Sequence, residues 1–158
     1  MAEAEQSYTT EVAGDVEDCV ATLLDFERYP AWSSPITKAV VHERDADGRG
    51  RRVEFALDMK IRTVRYVLDY AYELPQRSTW RMAEGDVTAI EGSYEFEQLA
   101  PGRTRITCRQ AIDLGFWVPG PLRRVFERQA LRDSVEEFRA EAERRAEDRR
   151  GAARKGKR

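Results

Sequence analysis

The stretch Arg65-Tyr66-Val67-Leu68-Asp69-Tyr70-Ala71-Tyr72-Glu73-Leu74 decides the fold class. Its large apolar side chains recur at every second position, at Tyr66, Leu68, Tyr70, Tyr72 and Leu74. Charged side chains take positions of the opposite parity, at Arg65, Asp69 and Glu73. A period of two is typical of a β-strand with one face in the core and one face in water. This stretch therefore predicts a sheet whose apolar face needs a cover.

Stretches with similar alternation lie on both sides of this strand. Further strands are predicted at Gln6 to Val12, Ile36 to Arg44, Val53 to Ile61, Thr79 to Met82, Ile90 to Glu97 and Ile106 to Ile112. Turn sequences such as Asp45-Ala46-Asp47-Gly48 and Ala100-Pro101-Gly102 separate neighbouring strands. Consecutive strands joined by tight turns predict an antiparallel meander.

Helices are predicted before and after the meander. Asp15 is a candidate N-cap for a helix over Val16 to Leu24, and Phe26 to Trp32 predicts a short second helix. A helix from Leu122 to about Arg150 would be ~40 Å long. Its apolar stripe consists of Leu131, Val135, Phe138 and Ala142. Leu122, Val125 and Phe126 lie on another side of an ideal helix, so the helix either bends near Arg128 or packs its first turns elsewhere.

The predicted fold class is α+β. A curved antiparallel sheet of about seven strands wraps on a long C-terminal helix, and two short helices follow the first strand. The domain is expected to span residues 1–145. Residues 146–158 are rich in Arg and Lys and are expected to form a disordered tail, the alternative being a basic arm that touches RNA or lipid headgroups.

Composition narrows the class of function. The 158 residues carry a net charge of −2, which gives no argument for a nucleic acid partner. The N-terminus lacks the apolar stretch of a signal peptide, and no segment is apolar enough for stable membrane insertion. We therefore expect a cytoplasmic protein that is a monomer or a homodimer.

Three segments resemble those of a known superfamily. Asp25-Phe26-Glu27-Arg28-Tyr29-Pro30-Ala31-Trp32 is similar to its D-x-x-x-Y-P-x-W segment. Gly92 to Glu97 with Gly102 to Ile106 resembles its G-x-[WY]-x-F…G-x-T-x-[VI] hairpin, and Leu131 to Glu143 resembles its closing helix. The chain is thereby identified as a member of the SRPBCC, or START-like, superfamily with the helix-grip fold. It most resembles the bacterial polyketide cyclase/dehydrase and coenzyme-Q-binding group.

The resemblance implies an internal pocket for an apolar small molecule between sheet and helix. We expect the pocket to be lined by Tyr29, Trp32, Phe55, Leu57, Tyr66, Leu68, Tyr70, Tyr94, Phe96, Gln110, Leu131 and Val135. Gln110 interrupts an apolar strand face, so its amide is expected to meet a tyrosine hydroxyl, a water or the ligand. For any single tyrosine, ordinary core packing remains the alternative.

Residues for chemistry are few. The single histidine, His42, has no neighbouring ligands at metal-binding spacing, and Cys19 and Cys108 are interpreted as core residues. We expect no metal and no cofactor. Weak candidates for catalysis are Tyr66, Tyr70 and Arg81, the last of which either points outward or meets a ligand oxygen.

Three functions remain open from the sequence. The first is binding or transport of a lipid, isoprenoid, quinone or polyketide-like molecule without catalysis. The second is a polyketide aromatase/cyclase or dehydratase that acts in the same pocket. The third is a protein- or ribosome-interaction module, for which only the basic tail offers a surface.

Overall fold

A computed structural model describes residues 5–124 and 128–156. The strands are β1 Gln6–Val12, β2 Ile36–Arg44, β3 Gly50–Asp58, β4 Thr63–Glu73, β5 Arg77–Gly85, β6 Ala89–Ala100 and β7 Arg103–Asp113. They form one antiparallel sheet in the order β1-β7-β6-β5-β4-β3-β2. The six strands from β2 onward are a meander, and β1 adds to its far edge beside β7. The predicted sheet is confirmed.

The helices cover the concave side of the sheet. They are α1 Val16–Leu24, a 3₁₀ turn Phe26–Arg28, α2 Tyr29–Trp32, α3 Gly120–Arg124 and α4 Ala130–Gly156. The long helix α4 packs on β1 and against α1, while the 3₁₀ turn and α2 pack on β2 at the opposite edge. The predicted helix-grip architecture, with short helices after β1 and a long C-terminal helix, is confirmed.

Several strand boundaries differ from the prediction, most clearly those of β3 and β5. β3 ends at Asp58, because the Met59 N–H donates to the Arg62 carbonyl at 2.9 Å and closes a tight turn. Ile61, predicted to continue the inner face, therefore lies in this turn and is 56% exposed. β5 is longer than predicted and runs from Arg77 to Gly85, since it has a strand partner on each side.

The C-terminal region also differs. The single helix expected from Leu122 to about Arg150 consists of α3 and α4, while Val125 and Phe126 lie outside the described residues. The expected domain boundary at residue 145 falls inside α4, which continues to Gly156. Ala146 is 1% exposed and Arg149, about one turn further on, pairs with Asp15 at 2.7 Å, so this part of α4 packs on the rest of the structure.

A cluster of charged groups ties α4 to the start of α1. The Asp15 carboxylate accepts hydrogen bonds from the Gly102 N–H at 2.8 Å and from Arg149 at 2.7 Å. Arg149 also reaches the buried Asp18 carboxylate at 2.9 Å. The Gly102 N–H and the Arg149 guanidinium hold the pKa of Asp15 below its ordinary value. The predicted N-cap residue thus links α1, the β6–β7 turn and α4.

A second cluster surrounds a buried carboxylate on α4. Glu141 is 4% exposed, and its oxygens accept hydrogen bonds from Arg28 at 2.8 Å, from Arg144 at 2.8 Å and from Arg145 at 3.2 Å. The hydrogen bonds from Arg144 outweigh the cost of burial and lower the pKa of Glu141 to about 2. Because Arg28 belongs to the 3₁₀ turn, Glu141 fixes α4 relative to the other side of the concave face.

Replacing Glu141 with Gln is expected to lower the free energy of unfolding at neutral pH by about 1.5–3 kcal/mol, the usual contribution of hydrogen bonds to a charged group. The pKa of Glu141 is lower in the folded protein than in the unfolded chain. The stabilisation by its hydrogen bonds is therefore complete above the ordinary pKa of 4.5 and is lost as the pH falls toward 2. Urea titrations of wild type and Glu141→Gln across this range should therefore converge in acid. The matched control is Glu147→Gln on the same helix, where the side chain is 66% exposed and about 0.5 kcal/mol or less is expected. Equal losses in the two variants, or a difference that does not change with pH, would contradict this role.

Candidate functional site

The concave face of the sheet is packed tightly at one end and less completely at the other, which we call the open end. On β3 the exposed fraction is 0% at Val53 and 2% at Phe55, whereas Leu57 is half-buried. On β7 it is 0% at Ile106, whereas Ile112 is half-buried. Burial at the open end is uneven, because Val64 and Ile90, the inner partners of Leu57 and Ile112, are only 1% and 4% exposed.

The half-buried inner residues lie on neighbouring strands. They are Leu57 on β3, Tyr66 on β4, Met82 on β5 and Gln110 and Ile112 on β7. Pairing of Leu68 with Met82 and of Gly92 with Gln110 places them across the width of the sheet. We call this set the pocket wall. The inner positions of β4, β6 and β7 are apolar or uncharged throughout, so the wall is electrostatically neutral.

The loop between β7 and α3 borders the open end. A cavity of about 380 Å³, within the ~300–1,000 Å³ common for ligand sites, is lined by Leu114, Phe116, Trp117, Val118 and Arg123 among others. Leu114 and Phe116 also pack against the core. The Arg62 guanidinium carbon lies 4.6 Å from the centre of the Phe116 ring, which brings the β3–β4 turn against this loop.

A polar pair interrupts the apolar wall. The Trp80 indole N–H donates to Gln110 Oε1 at 3.3 Å, so the partner of Gln110 is a tryptophan and not the tyrosine hydroxyl suggested as one option by the sequence. The Trp80 ring lies over Gly92, where a Cβ atom would come within 2.4 Å of the indole. Gly92 is thus required for this ring position. The Gln110 NH₂ group has no hydrogen-bond partner among the described residues and remains able to donate to a ligand.

Two tyrosine hydroxyls also have no protein partner. Within the described ranges, neither Tyr66 nor Tyr70 forms a side-chain hydrogen bond, in contrast to Tyr72, whose hydroxyl donates to the Gly50 carbonyl. Burial raises the pKa of Tyr66 and of Tyr70 above the ordinary value of 10.0. These phenols are therefore neutral at physiological pH and can serve as hydrogen-bond donors or acceptors, but not as general bases.

Several residues predicted for the pocket pack against other core side chains. Tyr94 stacks on Phe138 of α4 with ring centres 4.6 Å apart, and Phe96 lies 6.1 Å from the same ring. Tyr29 is buried and donates its hydroxyl to the Leu23 carbonyl at 2.6 Å. Val135 is completely buried in α4. These contacts place all four residues in an aromatic core beside the pocket wall.

The remaining predicted residues lie between these regions. Phe55, Leu68 and Leu131 are buried at 2–6% exposure and close the core beneath the wall. Trp32 packs 4.8 Å from Tyr29, and its Nε1 is buried without a hydrogen-bond partner among the described residues.

Arg81 lies on the opposite side of the sheet, 3.3 Å from Glu91 and with 79% of its side chain exposed. Of the two orientations considered for Arg81, the structure shows the outward one. Strand alternation explains it, because Trp80 and Met82 on either side take the inner positions.

The sequence missed part of this site. Met82 was placed on a short strand without a role, and Leu114 belongs to a loop that alternation cannot orient. Gly92 carried a signal, since it opens the hairpin motif.

His42 pairs with Glu54 at 2.8 Å on the outer face. No group of His, Cys, Asp or Glu side chains within residues 5–124 and 128–156 is arranged to hold a metal ion.

A sequence comparison places the chain in a known family. The sequence profile described as "Polyketide cyclase / dehydrase and lipid transport" matches residues 13–139. The chain belongs to this family. No curated protein was found that matches the chain in sequence. No helix in the described part of the chain has the length and apolar character needed to span a bilayer.

Solved structures share the fold of this family member. A START superfamily protein from Mycobacterium smegmatis is 23% identical, with a TM-score of 0.75 over 91% of this chain and 97% of that chain. The Zhui aromatase/cyclase from Streptomyces sp. R1128 is 19% identical, with a TM-score of 0.74 over 90% and 94% of the two chains. A protein from Thermus thermophilus is 18% identical, with a TM-score of 0.72 over 90% and 97%. At these identities the likeness establishes the fold alone.

The buried phenols predict an abnormal alkaline titration. Burial raises the pKa of Tyr29, Tyr66, Tyr70, Tyr72 and Tyr94. The native protein should therefore show little tyrosinate absorbance as the pH passes the ordinary value of 10.0, where the unfolded chain titrates. Because the pKa values of these tyrosines are higher in the folded protein than in the unfolded chain, they contribute stability that is complete below pH 10.0 and is lost as the pH rises above it. The urea concentration at the midpoint of unfolding should therefore decrease above pH 10.0. Substantial ionisation near 10.0 in protein that remains folded would contradict the burial of these rings.

Proposed function

We propose that this protein binds an uncharged, predominantly apolar small molecule over the pocket wall. The observation that carries the proposal is the set of inward-facing side chains left half-buried, from Leu57 across to Ile112. Covering that surface with a ligand would contribute roughly 25 cal/mol for each Å² of apolar area removed from water. The cavity beside the β7–α3 loop would then serve as the entrance.

The polar groups of the wall indicate the chemistry of the ligand. The Gln110 NH₂ group and the Tyr66 hydroxyl are available to bond to one or two oxygen atoms. A carboxylate or phosphate in this position would lose hydration without gaining a cation, which costs several kcal/mol. A quinone, isoprenoid alcohol, neutral lipid or polyketide carries oxygens of this kind on an apolar body. The lipid transport and cyclase activities in the family description support the same class of ligand.

Filling the pocket wall should abolish ligand binding without unfolding the protein. The double variant Leu57→Phe/Ile112→Phe adds bulk where space is free, so its affinity for the neutral probe N-phenyl-1-naphthylamine should fall at least about tenfold, as expected when more than ~1.4 kcal/mol of contact is lost. Its melting temperature should stay constant or rise, because the new rings occupy a void. Probe fluorescence and thermal unfolding monitored by circular dichroism measure the two effects.

The control for the added bulk is Ala111→Phe, which lies next to Ile112 on β7 but faces the other side of the sheet. It should bind the probe as wild type does. A solid interior would give the opposite pattern, with no probe binding by wild type and a loss of about 1–3 kcal/mol in the double variant through overpacking. Native mass spectrometry of gently purified protein would additionally show any ligand that is retained.

A second candidate function is an aromatase/cyclase or dehydratase reaction in the same pocket. The specific observation in its favour is the pair of unpartnered hydroxyls at Tyr66 and Tyr70, and a solved structure of the same fold is an aromatase/cyclase. Hydrogen bonds from these phenols to a ketone oxygen would orient a folded poly-β-ketone and stabilise the enolate that forms when a C–H proton leaves. Because the pKa of both phenols is raised, a bound water would have to accept that proton.

The catalytic hypothesis predicts a separation of activity from binding. With a poly-β-ketone substrate, Tyr66→Phe and Tyr70→Phe should each reduce the yield of cyclised product at least about tenfold, consistent with loss of one hydrogen bond to a developing charge. Both variants should still bind N-phenyl-1-naphthylamine. Tyr72→Phe is the matched control, since the hydroxyl it removes bonds to the Gly50 carbonyl. Unchanged product from all three variants would leave binding as the function of the pocket.

A further inference from the structure

One buried polar group has no role in the arrangement described so far. The Nε1 atom of Trp32 is enclosed and forms no hydrogen bond with any residue that the structure describes. Buried donors without a partner are rare in folded proteins, because such a group has lost its hydrogen bonds to water and gained none in return. The Trp32 indole N–H is therefore a place where an acceptor from outside the chain is expected.

Trp32 lies close to the open end of the sheet, at its β2 edge. It is the last residue of α2, and in the turn that follows the Ile36 N–H donates to the Ser33 carbonyl at 3.2 Å. Ile36 then pairs with Leu57, the β3 residue of the pocket wall. The indole is thus attached to the same end of β2 and β3 at which burial becomes incomplete.

Contacts with other rings place the indole nitrogen on the inside. The Trp32 ring centre lies 4.8 Å from that of Tyr29 and 5.9 Å from that of Phe138 on α4. Phe55 connects this group to the pocket wall, since its ring centre lies 5.7 Å from both Tyr29 and Tyr66. Trp32 as a whole is half-buried while its Nε1 atom is enclosed, so the nitrogen edge faces the protein and another part of the residue faces water.

A water molecule is a poor partner for this N–H group. A buried water usually forms about three hydrogen bonds to protein groups. The two rings in contact with the indole carry one polar group between them, the Tyr29 hydroxyl, which donates to the Leu23 carbonyl at 2.6 Å. A ligand oxygen needs only one donor, and the rest of the ligand would contact apolar side chains. An oxygen on an apolar ligand therefore suits this position better than water does.

We infer that Trp32 determines ligand specificity by donating its indole N–H to an acceptor oxygen of the ligand. An indole N–H can donate a hydrogen bond but cannot accept one. A carbonyl oxygen satisfies it, whereas a hydrocarbon group of the same shape leaves it unpaired. Sites that bond to a polar group of a ligand discriminate strongly against analogues that lack this group.

This inference rests on the proposed ligand binding and adds a residue to it. The proposed function uses polar groups on the strands, Gln110 and Tyr66. Trp32 would hold an oxygen from the helical side of the pocket instead. The two proposals can fail separately, because binding of an apolar probe does not require the indole N–H.

The test compares the binding of 2-acetylnaphthalene with that of 2-isopropenylnaphthalene, in which a CH₂ group replaces the carbonyl oxygen at nearly the same size. Both displace N-phenyl-1-naphthylamine from the full chain. Replacing Trp32 with benzothienylalanine exchanges the N–H for sulfur and keeps the ring shape. The affinity for the ketone relative to the alkene should then fall about tenfold, the factor that corresponds to ~1.4 kcal/mol. Trp32→Phe should show the same loss of preference.

The matched control is Tyr72→Phe, which removes a hydroxyl bonded to the Gly50 carbonyl and should keep the preference of wild type. Circular dichroism melts show whether each variant is folded. A second readout uses wild type alone. The indole proton signal of Trp32 in an NMR spectrum, identified by its loss in Trp32→Phe, should move downfield when the ketone binds but not when the alkene binds.

Several results would overturn this inference. They are an unchanged preference in the sulfur variant, the absence of a ketone-specific shift of the Trp32 signal, and a signal already shifted downfield without ligand, which would assign the N–H to an internal water. Each of these leaves the pocket intact if N-phenyl-1-naphthylamine still binds. Failure of wild type to bind this probe and both naphthalenes would overturn the proposed function and this inference together.

Discussion

The structure depends on a mismatch between a wide apolar sheet face and the narrow helix available to cover it. Seven strands bend into one concave surface, and α4 packs mainly on β1 and α1 near one edge. The rest of the face needs other cover. At one end of the sheet, aromatic rings cover the face, as in the contacts of Phe26 with Tyr70 at 4.8 Å and of Tyr94 with Phe138 at 4.6 Å. At the other end, toward the β7–α3 loop, the side chains of the pocket wall are only half-buried.

Two charged clusters hold α4 in place. Arg149 joins it to Asp15 and Asp18 at the start of α1, and Glu141 joins it to Arg28 in the 3₁₀ turn. Both involve carboxylates with little exposure, Asp18 at 3% and Glu141 at 4%, so removing one partner would leave a buried charge. The C-terminal half of α4 is thereby fixed, while its N-terminal end remains near the entrance.

The interior and the entrance differ in their electrostatics. The inner positions of β4, β6 and β7 carry no formal charge, whereas Lys60, Arg62 and Arg124 lie at the entrance without ion pairs within the described ranges. A neutral interior favours an uncharged ligand, because burial of an unpaired charge is unfavourable.

The sequence alone determined the class of fold. Alternation from Arg65 to Leu74 and in the neighbouring strands predicts which side chains face inward, since a period of two is a local property of extended chain. The resemblance of Asp25 to Trp32 and of the Gly92 hairpin to family motifs then identified the helix-grip fold, and the match over residues 13–139 confirms the family. The alternation in the sequence also predicted that Tyr66, Tyr70 and Gln110 face inward.

Only the tertiary structure decided which inward-facing residues are packed in the core and which remain half-buried. Tyr66 and Tyr94 occupy equivalent positions in an alternating pattern, yet Tyr94 stacks on Phe138 of α4 and Tyr66 meets no helix ring among the described residues. Gln110 bonds to Trp80 because Gly92 leaves room for the indole, and Ile61 leaves the strand because a turn forms at Met59. Each outcome depends on contacts between segments that are distant in the chain. Local periodicity specifies the face on which a side chain lies, whereas the residues packed opposite that face determine what it does there.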